Sequence, residues 1–200
     1  MSMGGQGASA VLVYLWALQD APGEAMETKL ISLAKAYGQS MGMDLGDTGG
    51  ALAGWPGPLE RDAKGKPFFS MVYPDLHFSL SHSGAYGACA FARQPVGLDM
   101  QIHTNCDGAK IAKRFFHPEE QAYLAQQGQA AFFAVWVAKE SYVKYTGEGI
   151  SGGFGQFAVA DANGLKYAID GVCFRHWPVI PGYSLCLCAR EAKDACLIQL

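Results

Sequence analysis

Between Val96 and Ile102 the chain alternates without a break. Val96, Leu98, Met100 and Ile102 are apolar, and Gly97, Asp99 and Gln101 fall between them. A period of two predicts a strand with one buried face, from whose other face Asp99 and Gln101 project together. The run from Phe78 to Ala92 carries Ser83-Gly84 near its middle and predicts a hairpin. In its first arm Ser79, Ser81 and Ser83 share one face, with Phe78, Leu80 and His82 on the other. Ala10 to Leu18 is apolar (AVLVYLWAL) and predicts a buried strand. It is too short for a bilayer, which takes about 20 residues, and it lacks the basic start of a secretory leader. Met1 to Ser9 are expected to be disordered.

Elsewhere the period lengthens. Leu30, Leu33, Ala34 and Tyr37 recur at helical spacing and predict a helix over 24–43, after the break at Pro22-Gly23. Residues 46–66 are rich in Gly and Pro and predict a loop. A short helix is expected over 109–116. A second is opened by Pro118 and ends near Gln126. A long third helix over 130–146 is stopped by Gly147. Three more strands are expected, over 156–159, 165–177 and 183–190. Each half of the chain thus reads as strand, helix and hairpin. The expected fold is α+β, in two pseudo-twofold-related halves (1–94 and 95–200), each a small, mostly antiparallel sheet packed on helices.

The long helix carries the densest chemistry. In WVAKESYVKYTGEG, Glu140 and Lys144 are one turn apart and share a face. Trp136 lies one turn earlier, and Lys139 projects from the adjacent edge. A carboxylate between two ammonium groups suits a metal ion with phosphates, and it also suits an ordinary solvated helix face. The Asp99 strand and the Ser-His hairpin favour the first. They supply hard oxygen donors of the kind Mg²⁺ takes beside a phosphate ester.

Composition narrows the class. Half of the 200 residues are hydrophobic, enough for a full core. A net charge of −3 and a pI of about 5.9 argue against a nucleic-acid-coating surface. None of the six cysteines forms a CxxC pair. Cys186 and Cys188 sit in an apolar run where thiols pack as small hydrophobes, so reduced cysteines and a cytoplasmic location are expected.

The ordered series GKPF (65–68), HFSLSHSG (77–84), VGLDMQ (96–101), AKRFF (112–116) and WVAKESYVKYTGEG (136–149) resembles the 4′-phosphopantetheinyl transferases of the surfactin-synthetase-activating (Sfp) type. The resemblance runs from about Gly65 to Val159. It implies an active site in a cleft between the two halves. The implied reaction is Mg²⁺-dependent transfer of phosphopantetheine from coenzyme A to a serine of an apo acyl- or peptidyl-carrier protein, as in fatty acid, polyketide or nonribosomal peptide biosynthesis. It implies Asp99 and Glu140 as Mg²⁺ ligands, with Glu140 also the base for the serine proton. Lys144 would hold the leaving α-phosphate, and Lys139 would make a second phosphate contact. Ser81 and His82 would touch the coenzyme's phosphates, and Lys66 would lie beside the adenosine pocket. Lys110, Lys113 and Arg114 would either dock an acidic carrier or form a solvated basic face.

The chain departs from the family pattern twice. Gln101 stands where a second strand carboxylate is usual, so weaker metal affinity with activity retained is expected. Between Gln19 and Glu60 the only cations are Lys29 and Lys35, few for the coenzyme's 3′-phosphate. A non-catalytic relative that binds coenzyme A or a carrier is the alternative. In either case a monomer is expected, with no membrane and no nucleic-acid partner.

Overall fold

In the computed structural model, the described residues are 11–18, 26–42, 59–63, 65, 67–69, 76–149 and 153–200. In chain order the elements are β1 (Leu12–Ala17), α1 (Met26–Ser40), β2 (Leu59–Arg61), β3 (Pro67–Phe69), β4 (His77–Ser83), β5 (Tyr86–Ala92), β6 (Val96–Ile102), α2 (Gly108–Phe115), α3 (Pro118–Leu124), α4 (Gln129–Thr146), β7 (Ala160–Asp161), β8 (Gly164–Leu165), β9 (Ala168–Ile169), β10 (Val172–His176), β11 (Tyr183–Ala189) and β12 (Cys196–Gln199). The fold is a mixed α+β arrangement with several small sheets. The expectations for Met1 to Ser9 and for most of 46–66 lie outside the described residues.

Two four-stranded sheets dominate. The first has the order β12-β1-β5-β4, antiparallel except for the parallel β1–β12 pair. The second, β6-β11-β10-β9, is antiparallel throughout. Period-two alternation gives each sheet two apolar faces. Tyr14, Trp16, Phe78, Cys89 and Phe91 pack against Leu30, Leu33 and Tyr37 of α1. Val13, Leu15, Ala88 and Ala90 meet Leu98, Met100, Leu185 and Leu187 between the sheets. Phe174, Cys186 and Cys188 pack beneath Phe133, Val137 and Ala138 of α4. The layers therefore run α1, first sheet, second sheet, α4.

Several expected boundaries moved for physical reasons. The hairpin turns at Gly84-Ala85, one residue later than the sequence suggested, with Gly84 at φ +55. No strand forms over 156–159. Gly153 is left-handed and opens a 3₁₀ turn at Phe154–Gln156. The Phe157 carbonyl and Val159 N–H are bonded by the buried side chains of Lys139 and Glu120 rather than by a ladder. The run 165–177 is broken at Asp170-Gly171, both at positive φ. β12 was missed, and it lies in the first sheet beside β1.

One glycine sets the distance between β6 and α4. A Cβ added at Gly97 would stand 1.9 Å from the Ser141 carbonyl oxygen and 2.6 Å from Tyr145 N. Backbone cannot yield as a side-chain tip can, so Gly97→Ala is expected to push α4 away. The expected cost is about 3 kcal/mol, the upper end of overpacking, read by urea unfolding.

Candidate active site

β4 and β6 are the outer strands of their sheets, and they meet along a seam. Three serine hydroxyls span it. The N–H groups of Leu98, Met100 and Ile102 donate to Oγ of Ser79, Ser81 and Ser83 at 2.9, 3.1 and 3.0 Å. The shared face of the three serines was legible in the sequence, but this ladder was not. Each hydroxyl satisfies an edge N–H that would otherwise be buried without a partner.

Asp99 lies on this seam, buried, with its side chain turned toward α4. Ser81 Oγ donates to Asp99 Oδ1 at 2.9 Å, and Lys144 Nζ donates to the same oxygen at 2.7 Å. Lys144 also donates to the carbonyls of Leu98 at 3.1 Å and Leu80 at 3.4 Å, so it touches both sheets. Asp99 Oδ2 receives no hydrogen bond from another described residue. Glu140, one turn before Lys144, is half-buried, and no hydrogen bond or ion pair from another described residue reaches its carboxylate. Burial pushes its carboxyl up to about 7, and the Asp99 carboxylate adds to the rise while Lys144 opposes it. Gln101 donates through Nε2 to the Ile102 carbonyl at 3.2 Å.

These side chains border one recess of about 310 Å³, with Ser81, His82, Asp99, Gln101, Glu140 and Lys144 on its wall. The sequence put Ser81 and His82 on opposite strand faces. Their burial does alternate, His82 being exposed and Ser81 buried, yet both border the recess. A second recess of about 260 Å³ adjoins it and shares Leu80, Glu140 and Lys144. Gly65 and Pro67 lie on its wall with Phe78 and Val143. Lys66 lies outside the described residues.

Lys139 does not face either recess, contrary to the phosphate contact expected of it. It is fully buried, 2.8 Å from the Glu120 carboxylate and 2.8 Å from the Phe157 carbonyl oxygen, over the Phe157 ring. Position 139 is rotated about 100° from 140 on a helix, enough to turn it from the site into the core. Its partner Glu120 escaped the sequence reading. The one available signal was its place at the third position of a Pro-started helix, where it completes a capping box by accepting from His117 N at 2.9 Å. Lys110, Lys113 and Arg114 lie exposed on α2.

Residues 95–188 match the model of the 4′-phosphopantetheinyl transferase superfamily. The chain is 34% identical over 137 residues to the 4′-phosphopantetheinyl transferase Sfp of Bacillus subtilis (strain 168), covering 64% of this chain and 60% of that one. It is 32% identical over 147 residues to psf-1 of Bacillus pumilus, covering 68% and 62%. It is 40% identical over 96 residues to gsp of Aneurinibacillus migulanus, covering 46% and 39%. The chain therefore spans less than two thirds of the length of these relatives. The family match begins at the strand carrying Asp99 and takes in the helix carrying Glu140 and Lys144. Through that shared unit, just under half of its length, the chain is similar to the 4′-phosphopantetheinyl transferase superfamily.

Proposed function

We propose that this protein transfers 4′-phosphopantetheine from coenzyme A to a serine of an apo acyl- or peptidyl-carrier protein. The observation that carries this is the meeting of Asp99 from β6 with Glu140 and Lys144 from α4 on one recess wall. The carrier serine oxygen bonds to the β-phosphorus, the bond from that phosphorus to the leaving oxygen breaks, and 3′,5′-ADP departs. Glu140 takes the serine proton, directly or through a water. A carboxyl held near 7 is well poised for that transfer. Lys144 meets the negative charge that builds on the leaving phosphate. His82 stands at the rim, where it can donate to phosphate. The second, more apolar recess beside Gly65 and Pro67 receives the adenosine end. The basic face of α2 docks the acidic carrier.

The residues fit Mg²⁺. Asp99 Oδ2, the Glu140 carboxylate and the Gln101 side-chain oxygen are hard donors that no described residue engages. Two converging acids, one of them lifted chiefly by burial and further by the charge of the other, suit a cation. Among the described residues no group of three or more His, Cys, Asp or Glu side chains is poised for a metal, so the third position falls to the neutral Gln101 or to a water. When bound, the ion supplies Lewis-acid stabilisation of the diphosphate charge. Because a proton on Glu140 competes with the ion, Mg²⁺ affinity is expected to rise about tenfold per pH unit up to about 7 and to level off above it. Calorimetry in buffers of different ionisation enthalpy would show about one proton released per ion at pH 6.

We read the two sheets, each with a helix on its outer face, as pseudo-twofold-related halves drawn from 1–94 and 95–200, with β12 of the second stretch crossing to join the first sheet and the cleft at the seam. The protein acts as a cytoplasmic monomer with reduced cysteines and no nucleic-acid partner. Among the described residues no helix is long and apolar enough to cross a membrane. Incubation with coenzyme A, Mg²⁺ and an apo-carrier, followed by mass spectrometry of the carrier, tests the proposal. A gain of one phosphopantetheinyl group is expected. Saturable binding of carrier or coenzyme with no gain would identify a non-catalytic relative instead.

A further inference from the structure

We infer that Ser81 is a positioning residue for Asp99, fixing which carboxylate oxygen is offered to the recess, and that its hydroxyl does not contact the coenzyme. This rests on the assignment of Asp99 as a cation ligand. A serine hydroxyl has one proton to give. At Ser81 that proton goes to Asp99 Oδ1 at 2.9 Å, a charged acceptor that outcompetes the Met100 carbonyl at 3.5 Å. Ser81 Oγ itself accepts from Met100 N at 3.1 Å, and Ser81 is only 6% exposed. A phosphate accepts hydrogen bonds and needs donors, so it has nothing to gain from this hydroxyl.

Both ends of the contact are held by sheets. Ser81 pairs with Ala88 in the first sheet, and Asp99 pairs with Cys186 in the second. With Ser81 and Lys144 both on Oδ1, the carboxylate can turn only Oδ2 outward. The neighbouring rungs show what is special here. Ser83 accepts from Ile102 N at 3.0 Å just as Ser81 does from Met100, but it touches no carboxylate. Removing Ser83 therefore costs the seam a similar rung without disturbing Asp99.

The test measures Mn²⁺ binding by electron paramagnetic resonance of the free ion, alongside coenzyme A binding in EDTA. Ser81→Ala is expected to weaken Mn²⁺ about tenfold, the lower end of the effect of residues that orient a metal ligand. Coenzyme A affinity in EDTA should stay unchanged. Ser81→Thr, which keeps the hydroxyl, should hold wild-type Mn²⁺ affinity, and Ser83→Ala should hold it too. If Ser81→Ala does not fold, Ser81→Cys keeps the volume with a weak donor and should show the same loss. Unchanged Mn²⁺ affinity in Ser81→Ala or Ser81→Cys, or weakened coenzyme A binding in EDTA, would overturn the inference. Asp99→Asn separates the two levels. If it leaves Mn²⁺ binding intact, the assignment of Asp99 itself is wrong. If it abolishes binding while Ser81→Ala does not, only the role of Ser81 is wrong.

Discussion

Lys139→Met is expected to lower the unfolding free energy by about 3–5 kcal/mol, enough to leave much of the protein unfolded at 37 °C. Lys139 and Glu120 are both fully buried and 2.8 Å apart. The Glu120 carboxylate also accepts from His117 N at 2.9 Å and Val159 N at 2.8 Å, and Lys139 holds the Phe157 carbonyl oxygen at 2.8 Å. The pair thus ties α3, α4 and the 157–159 segment at one point. Removing the ammonium strands a carboxylate in the core, and desolvation of that charge dominates the cost. Burial draws the Lys139 pKa down and the charge of Lys166 adds to the fall, while Glu120 opposes it. Adding Glu120→Gln to Lys139→Met should recover part of the loss, because no charge is then left buried. Chemical denaturation of the wild type, both single variants and the double variant reads the coupling directly.

Glu140→Gln is expected to reduce carrier labelling by about 10³-fold, within the range for losing a general base. Its stability should move the other way. The folded pKa of Glu140, about 7, lies above the ordinary 4.5. Its contribution to stability is therefore full below pH 4.5 and is lost as pH rises through 7. At pH 8 the wild type carries an ionised, poorly accommodated carboxylate, and a neutral amide removes that cost. The metal-free variant should thus unfold at higher denaturant than the metal-free wild type at pH 8, and the difference should vanish by pH 4. Lost activity with unchanged or raised stability is the mark of a group held for its chemistry rather than its packing.

How much of this was legible depended on whether a local period governed the element. Strict alternation at Val96–Ile102 placed Asp99 and Gln101 on one strand face, as found. Helical spacing and the stop at Gly147, left-handed at φ +74, set α4 to within a residue. The carboxylate pair converged because strand and helix faces, once right, leave little freedom when a glycine lets them touch. What stayed hidden depends on contacts distant in sequence. Nothing near Cys196 tells it to pair with β1. Nothing local to Lys139 tells it to seek Glu120, 19 residues away. The strand expected at 156–159 failed because two buried side chains took its backbone groups. The serine face was visible as a period, but its use as a ladder required knowing which edge lay opposite.

The convergence of two distant acids on one cation is the claim from which the rest follows. A crystal structure grown with Mn²⁺ and coenzyme A, with anomalous data at the manganese edge, addresses it directly. The expected result is a single manganese peak touching Asp99 Oδ2 and a Glu140 oxygen, with the coenzyme's diphosphate against it and Lys144. A manganese peak that touches only one of these carboxylates, or a diphosphate seated away from both, would contradict it.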